Sequence, residues 1–229
     1  MSEARAGDTI ERLHAEIVLC RLCDRLVAWR EQVARERRAV FADQEYWGRP
    51  VPGFGDRRAR LVLVGLAPAA HGANRTGRVF TGDRSGDWLY RALHRGGFAS
   101  QPTATGRDDG LRLRDAYVTS AVRCAPPGNR PLPAEQAACR PYLERELALL
   151  GRTTVLLALG GIAYRTLAAR EGLRPRPRFG HGLEVGLAGG RTLLCSYHPS
   201  QQNTFTGRLT EAMLDSVIER ARALVDAAR

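Results

Sequence analysis

The sequence predicts an α/β protein, a three-layer αβα sandwich around a four-stranded, mainly parallel sheet. Three observations lead there. Four apolar runs of strand length occur at 61–64, 116–122, 153–159 and 192–197. They are continuous rather than alternating, which suits parallel strands covered on both faces. Each run gives way to a loop containing Gly or Pro, and then to a segment with helical spacing of apolar residues. Strands that alternate with helices build a parallel sheet with helices on two sides.

In chain order, residues 9–39 are predicted helical, with Ile10, Leu13, Ile17 and Leu22 on one stripe and Cys20-Arg21-Leu22-Cys23 in the same segment. Tyr46 to Asp56 carries Pro50, Pro52, Gly53 and Gly55, turn residues that speak against regular structure there. After the first strand, the Gly-rich stretch 65–83 precedes a helix over Ser85 to Gly96. Gly96 to Gly110 is polar and reads as an unconstrained surface loop. The second strand runs into Arg123-Cys124-Ala125-Pro126-Pro127, where two adjacent prolines fix a tight extended loop. Pro133 starts a helix to about Leu150, with Glu135 in its first turn. A helix follows the third strand as far as about Arg170. The fourth strand ends in His198-Pro199-Ser200, and a helix over Leu209 to Ala228 closes the chain.

The 229 residues are enough for one domain with a sizeable core. No run approaches the roughly 20 apolar residues of a membrane span. The N-terminus mixes acids with bases and has no apolar signal core, so an intracellular protein is expected. All 35 basic residues are arginine, set against 24 acids, for a net charge of +11. Codon usage in a GC-rich genome accounts for Arg over Lys, but not for the excess of base over acid. Such a charge attracts polyanions through a salt-dependent phosphate term, with nucleic acid first among them.

Two constellations carry chemistry. Four of the five cysteines form a short pair, Cys20 and Cys23, and a wide pair, Cys124 and Cys139. Disulfides are not expected in an intracellular chain. A zinc ribbon would repeat the short pair. One short and one wide pair fits a [4Fe–4S] cluster at least as well. Cys195, in an apolar run, reads as a small core residue. The second constellation lies at the ends of three strands: His71, Asn74, Phe80 and Asp83, then Asn129, then His198 with Gln201, Gln202 and Asn203. Loops after parallel strands share one edge of the sheet, so these residues can converge. An aromatic ring, an amide, a carboxylate and an imidazole together could hold a nucleobase.

The stretches 65–83 (GLAPAAHGANRTGRVFTGD), 121–131 (AVRCAPPGNRP) and 196–210 (SYHPSQQNTFTGRLT) resemble the family 5, or type b, uracil-DNA glycosylases. The stretches 20–31 (CRLCDRLVAWRE) and 51–56 (VPGFGD) match as well. The resemblance implies the sandwich fold and one domain over 1–229. Its N-terminal helical segment, about 9–39, would be tied on by a [4Fe–4S] cluster on Cys20, Cys23, Cys124 and Cys139. It implies hydrolysis of the N-glycosidic bond of uracil in double- and single-stranded DNA, by a monomer on the nucleoid in a prokaryotic cytoplasm. By motif position Phe80 stacks on the uracil, His198 stabilises the leaving anion, and Asp83 and Asn129 position the water. Gly65, Ala69, His71, Asn74 and Arg208 complete the substrate contacts. Leu66 stands where iron–sulfur relatives of family 4 carry Glu, so Gly65 to Ala69 holds no general base. That departure implies leaving-group stabilisation and room for other deaminated or oxidised bases. Ser120 replaces a base-reading Asn, whose part Asn129 could take. The competing reading is a metal-stapled DNA-damage sensor without catalysis.

Overall fold

The computed structural model describes residues 7–228, so the part of the N-terminal signal reading that falls on residues 1–6 lies outside the described residues. The sheet has six strands rather than four: β1 (Phe54–Gly55), β2 (Leu61–Gly65), β3 (Ala116–Ser120), β4 (Val155–Leu159), β5 (Glu184–Gly186) and β6 (Thr192–Ser196), in the order β1-β3-β2-β4-β6-β5. The predicted four form its parallel centre, with Leu61 opposite both Ala116 and Val155, and Val155 opposite Thr192. The two additions pair antiparallel at the edges. Both are short and incompletely buried, so neither shows an apolar run. Tyr46 to Asp56 was expected to be irregular, yet β1 forms inside it because Gly55, at φ 142°, lets the backbone close on β3. A Cβ on Gly55 would stand 2.4 Å from the Ala116 carbonyl oxygen.

The helices are α1 (Ile10–Leu19), α2 (Asp24–Glu36), α3 (Ala73–Thr76), α4 (Arg84–Arg95), α5 (Pro133–Leu149), α6 (Gly161–Arg170), α7 (Gln201–Phe205) and α8 (Glu211–Ala227). Residues of β2 alternate between two cores. Leu61 and Leu63 pack with Leu89 and Leu93 of α4 and with Leu214 and Ile218 of α8. Val62 and Val64 pack with Leu143 and Leu147 of α5 and with Leu167 of α6. Helices thus cover both faces, as the continuous apolar strands require. No helix among the described residues is long and apolar enough to cross a membrane.

Two further expectations need correction. The helix over residues 9–39 is two helices, broken at Cys20 to Cys23. Arg30 reaches back from α2 and donates from both Nη1 and Nη2 to the Cys20 carbonyl at 3.3 Å, taking an acceptor that a continuing helix would have used. The loop after Gly96 is pinned, not loose. Asp109 accepts from the backbone N–H groups of Thr105, Gly106 and Leu111, and pairs with the buried Arg78 through both oxygens at 2.8 and 2.6 Å.

Candidate active site

Gly65 ends β2, and the chain then makes the long turn that leads into α4. Phe80 lies in that turn with φ +51°, a conformation that costs a residue with a side chain about 1–3 kcal/mol. Its neighbours hold it there. Tyr90 Oη donates to the Val79 carbonyl at 2.9 Å, Thr76 Oγ1 to that of Thr81 at 3.1 Å, and Arg75 Nη2 to that of Gly82 at 2.7 Å. Two glycines give the strained residue its space. A Cβ on Gly65 would meet the Phe80 ring at 2.6 Å, and one on Gly86 would meet the Phe80 carbonyl oxygen at 2.0 Å.

His198 comes two residues after β6 and brings its ring against Phe80, with centroids 5.6 Å apart and planes at 30°. Its backbone is fixed from two sides. Asn203 Nδ2 donates to the His198 carbonyl at 2.8 Å, and the Gly160 N–H donates to the Ser196 carbonyl at 2.8 Å. Burial pushes the imidazole pKa down to about 4, so the ring is neutral at pH 7 and offers one N–H donor and one acceptor.

Asp83 caps α4, accepting from the Gly86 N–H at 3.0 Å. Burial raises its pKa, opposed by the N–H groups of Gly86 and Ser85. A Cβ on Gly72 would stand 2.0 Å from Asp83 Oδ2, so the carboxylate lies directly over the start of α3. The Ala69 carbonyl closes the same turn by accepting from the N–H groups of Gly72 and Asn74. His71 Nδ1 meets Tyr46 Oη at 3.1 Å, and burial, with Arg38 and Arg75 behind it, lowers its pKa. Asn74 is fully buried, and its Nδ2 donates to the Arg30 carbonyl at 3.2 Å. Nδ2 thereby ties α2 to the loop, and Oδ1 has no hydrogen-bond partner among the described residues. Asn129 is exposed on the turn after β3, with φ +56° and no side-chain hydrogen bond among the described residues. Ser120 Oγ is taken up by the Val122 carbonyl at 2.8 Å. Arg208 is exposed, its guanidinium over the Tyr197 ring at 4.6 Å. Gly65, Phe80 and His198 thus touch in sequence, and Asp83 adjoins them through the Phe80–Gly86 turn. Asn129 and Arg208 stand at the rim. Two open cavities of about 560 and 600 Å³ flank Trp47 and Arg107, and neither is lined by Phe80, Asp83 or His198.

The family model described as Uracil DNA glycosylase superfamily matches residues 52–222, a span that holds all these strand-end residues. The chain belongs to this superfamily. It is 54% identical to the Type-5 uracil-DNA glycosylase of Mycobacterium tuberculosis (strain CDC 1551 / Oshkosh), over 96% of this chain and 84% of that protein. It is also 54% identical to the Type-5 uracil-DNA glycosylase of Thermus thermophilus, over 91% of this chain and 94% of that one. The Type-4 uracil-DNA glycosylase of Thermotoga maritima stands further off, at 30% identity over 76% of this chain and 82% of that protein. Within the uracil-DNA glycosylase superfamily the chain sides with the type-5 group.

The superfamily's type-5 resemblance implies an iron–sulfur cluster, and the cysteines can be tested for it. Cys20 and Cys23 flank the break between α1 and α2, Cys124 follows β3, and Cys139 lies in α5. Cys23, Cys124 and Cys139 pack into one small cluster with Leu26 and Val122. All are free thiols. Burial raises the thiols of Cys23 and Cys139 and pushes that of Cys124 up to about 12. Among the described residues no three His, Cys, Asp or Glu side chains stand close enough to grip one metal ion. An iron–sulfur cluster is held by four separate thiolates, one to each iron, rather than by ligands that converge on one ion. An all-sulfur donor set, three of its members gathered in one cluster and one facing a buried arginine, fits such a group.

Several supporting residues have no sequence signal. Gly160 ends β4 with φ +95°, and a Cβ there would stand 3.2 Å from His198 Cβ. It looks like any strand-end glycine until His198 is placed beside it. His181 accepts at Nδ1 from the Tyr197 N–H at 3.3 Å and props the end of β6. Arg78 and Asp109 are 31 positions apart and meet only through the fold.

Proposed function

We infer that the chain hydrolyses the N-glycosidic bond of uracil in DNA and leaves an abasic site. The observation that carries this is the neutral imidazole of His198, held against the strained Phe80 at the carboxyl edge of a parallel sheet. The target base must leave the stack, which costs a few kcal/mol and is easiest for a mispaired base. Phe80 then offers an apolar ring face. As the bond to the sugar breaks, its electron pair moves onto the uracil ring and reaches a carbonyl oxygen. The N–H of a neutral imidazole can donate to that oxygen, an interaction stronger in the transition state than in the ground state. Water completes the reaction at the sugar carbon. Asp83, with one oxygen anchored by the α4 N-terminus, and Asn129 at the rim are the groups assigned to positioning it. A damage sensor without catalysis would have no use for an imidazole kept neutral beside a strained aromatic residue.

Cys20, Cys23, Cys124 and Cys139 are assigned to a [4Fe–4S] cluster, whose part is to fasten the N-terminal helices to the rest of a single 1–229 domain. The site residues bind and orient the base and hold the proton at His198. Exposed Arg84, Arg130 and Arg208 supply phosphate contacts on double- or single-stranded DNA. The enzyme is proposed to act as a monomer on the nucleoid of a prokaryotic cytoplasm. With Leu66 in place of an acid, the base pocket would also admit other deaminated or oxidised bases.

The test is His198→Ala in single-turnover excision from a uracil-containing oligonucleotide, read as strand scission in alkali. Removing one such donor lowers the rate about 100- to 1,000-fold, while DNA affinity changes little. Excision at the unmodified rate would refute the role of His198. No scission by the unmodified enzyme would refute the function.

A further inference from the structure

We propose that Arg30 is the counter-cation of the sulfur site, donating to the Cys124 thiolate and balancing the negative charge of the loaded cluster. The inference rests on the reading that the four cysteines hold a [4Fe–4S] cluster. Arg30 is 2% exposed and lies on the inner side of α2. Its Nη1 stands 3.0 Å from Cys124 Sγ. Both terminal nitrogens also donate to the Cys20 carbonyl, and Nε has no hydrogen-bond partner among the described residues. Among the described residues no carboxylate hydrogen-bonds it, and its one ion-pair neighbour is shared. The Glu31 oxygen at 3.8 Å is beyond hydrogen-bond reach, and Glu31 is engaged with Arg21 instead.

Of the four other buried arginines among the described residues, three hold carboxylates, and the fourth, Arg75, spends its nitrogens on the carbonyls of His71 and Gly82 and on Gln44 Oε1. Arg78, Arg123 and Arg145 hold carboxylates at 2.6, 2.6 and 2.9 Å, on Asp109, Glu146 and Asp8. A guanidinium out of water needs an anion or acceptors for all its donors, and Arg30, with Nε unbonded, has neither. Neutral thiols do not supply that charge. Four thiolates around an iron–sulfur core carry net negative charge, and Arg30 is the cation aimed at them. The same residue reaches the substrate loop, because its backbone carbonyl accepts from the buried Asn74 amide. One residue therefore joins a cluster ligand to the turn that carries Phe80 and Asp83.

Hydrogen bonds to cluster sulfurs and nearby charge set both potential and retention. The experiment compares unmodified protein, Arg30→Gln and Arg30→Lys, each checked for folding by circular dichroism. Iron and acid-labile sulfide are measured first. Then come the rate of iron release to a chelator and the cluster's reduction potential. Reduction adds negative charge, so loss of the cation should shift the potential negative in R30Q. R30K keeps the charge but lacks the forked donors, so its potential should stay near that of the unmodified protein. Iron should leave R30Q about 10- to 100-fold faster, the usual penalty for losing a partner of a metal ligand, and R30K at an intermediate rate. If R30Q does not fold, R30K alone carries the test through its faster release. Iron-loaded variants with unchanged release and unchanged potential would overturn the role of Arg30 and leave the cluster standing. Unmodified protein without iron and sulfide would instead overturn the cluster, and the inference with it.

Discussion

Replacing Gly160 with alanine should separate the stability of the fold from the geometry of the site. Gly160 has φ +95° and ψ 165°, a region essentially closed to residues with a side chain. The backbone strain is about 1–3 kcal/mol, which for a chain of this length lowers Tm by about 2–12 °C. The new methyl would also sit 3.2 Å from His198 Cβ, where ordinary contact begins at 3.4 Å, so His198 must retreat by a few tenths of an ångström. A displacement of 1 Å can lower a rate about 100-fold, and a third to a half of that gives about 5- to 10-fold. Gly172→Ala is the control. Its φ of +67° also disfavours a side chain, but nothing lies within 4 Å of its would-be Cβ. Both variants should lose stability in thermal unfolding, and only Gly160→Ala should slow single-turnover uracil excision. Equal rates in the two variants, both like the unmodified enzyme, would refute the claim that Gly160 sets the position of His198.

Asp109→Ala leaves the Arg78 guanidinium buried without its partner and should cost about 3–5 kcal/mol in denaturant unfolding; a loss below about 1 kcal/mol would mean that the pair is not what pins the 105–111 loop. Arg208→Ala should lower the slope of log affinity against log salt for DNA by about 1, with little effect on which base is excised; an unchanged slope would remove Arg208 from the phosphate contacts. His198 is held below its ordinary value, so the stability that its neutral form contributes is complete above pH 6.5 and is lost as pH falls through about 4. His198→Ala should flatten unfolding stability over that window, and a slope equal to that of the unmodified protein would refute the neutral assignment. Burial raises the Asp83 carboxyl, so Asp83 should contribute to the acid limb of the excision rate, and Asp83→Asn should weaken that limb; an acid limb unchanged in Asp83→Asn would refute it.

The central sheet was legible because burial on both faces leaves continuous apolar runs, and the positions of β2, β3, β4 and β6 follow from those alone. The edge strands were not, since β1 depends on Gly55 approaching the Ala116 carbonyl and β5 is largely exposed. The break between α1 and α2 was hidden because Arg30 imposes it from ten residues away. In the candidate site, Phe80, Asp83 and His198 stand out in the sequence as polar or aromatic residues after buried strands, and the fold brings them to one edge of the sheet. Their supports do not stand out, because Gly160, His181 and Asp109 act through contacts between loops that only the fold brings together. Asn74 is legible only in part. Its place in a motif rich in polar residues points to a substrate contact, and only the fold shows that its Nδ2 also ties the loop to α2 while Oδ1 has no partner among the described residues.

The electrostatics of the site explain how it can work without an acid at position 66. A general base in the first motif would activate water before the sugar bond breaks. Here the groups nearest the strained turn favour a different order. Phe80 is fixed by three side-chain hydrogen bonds to its neighbours' carbonyls and by two glycines, so little reorganisation is needed when a base arrives. His198 carries no charge at pH 7, so it does not repel the positive charge that builds on the sugar, yet its N–H can meet the negative charge that builds on the base. The Asp83 carboxylate is held by a helix N-terminus, whose dipole favours the ionised form against the burial that opposes it. A carboxylate so placed can stabilise a developing oxocarbenium ion and orient a water without first taking its proton. Departure of the base would then lead and attack by water follow, which predicts that replacing Asp83 by Asn slows excision less than replacing His198 by Ala.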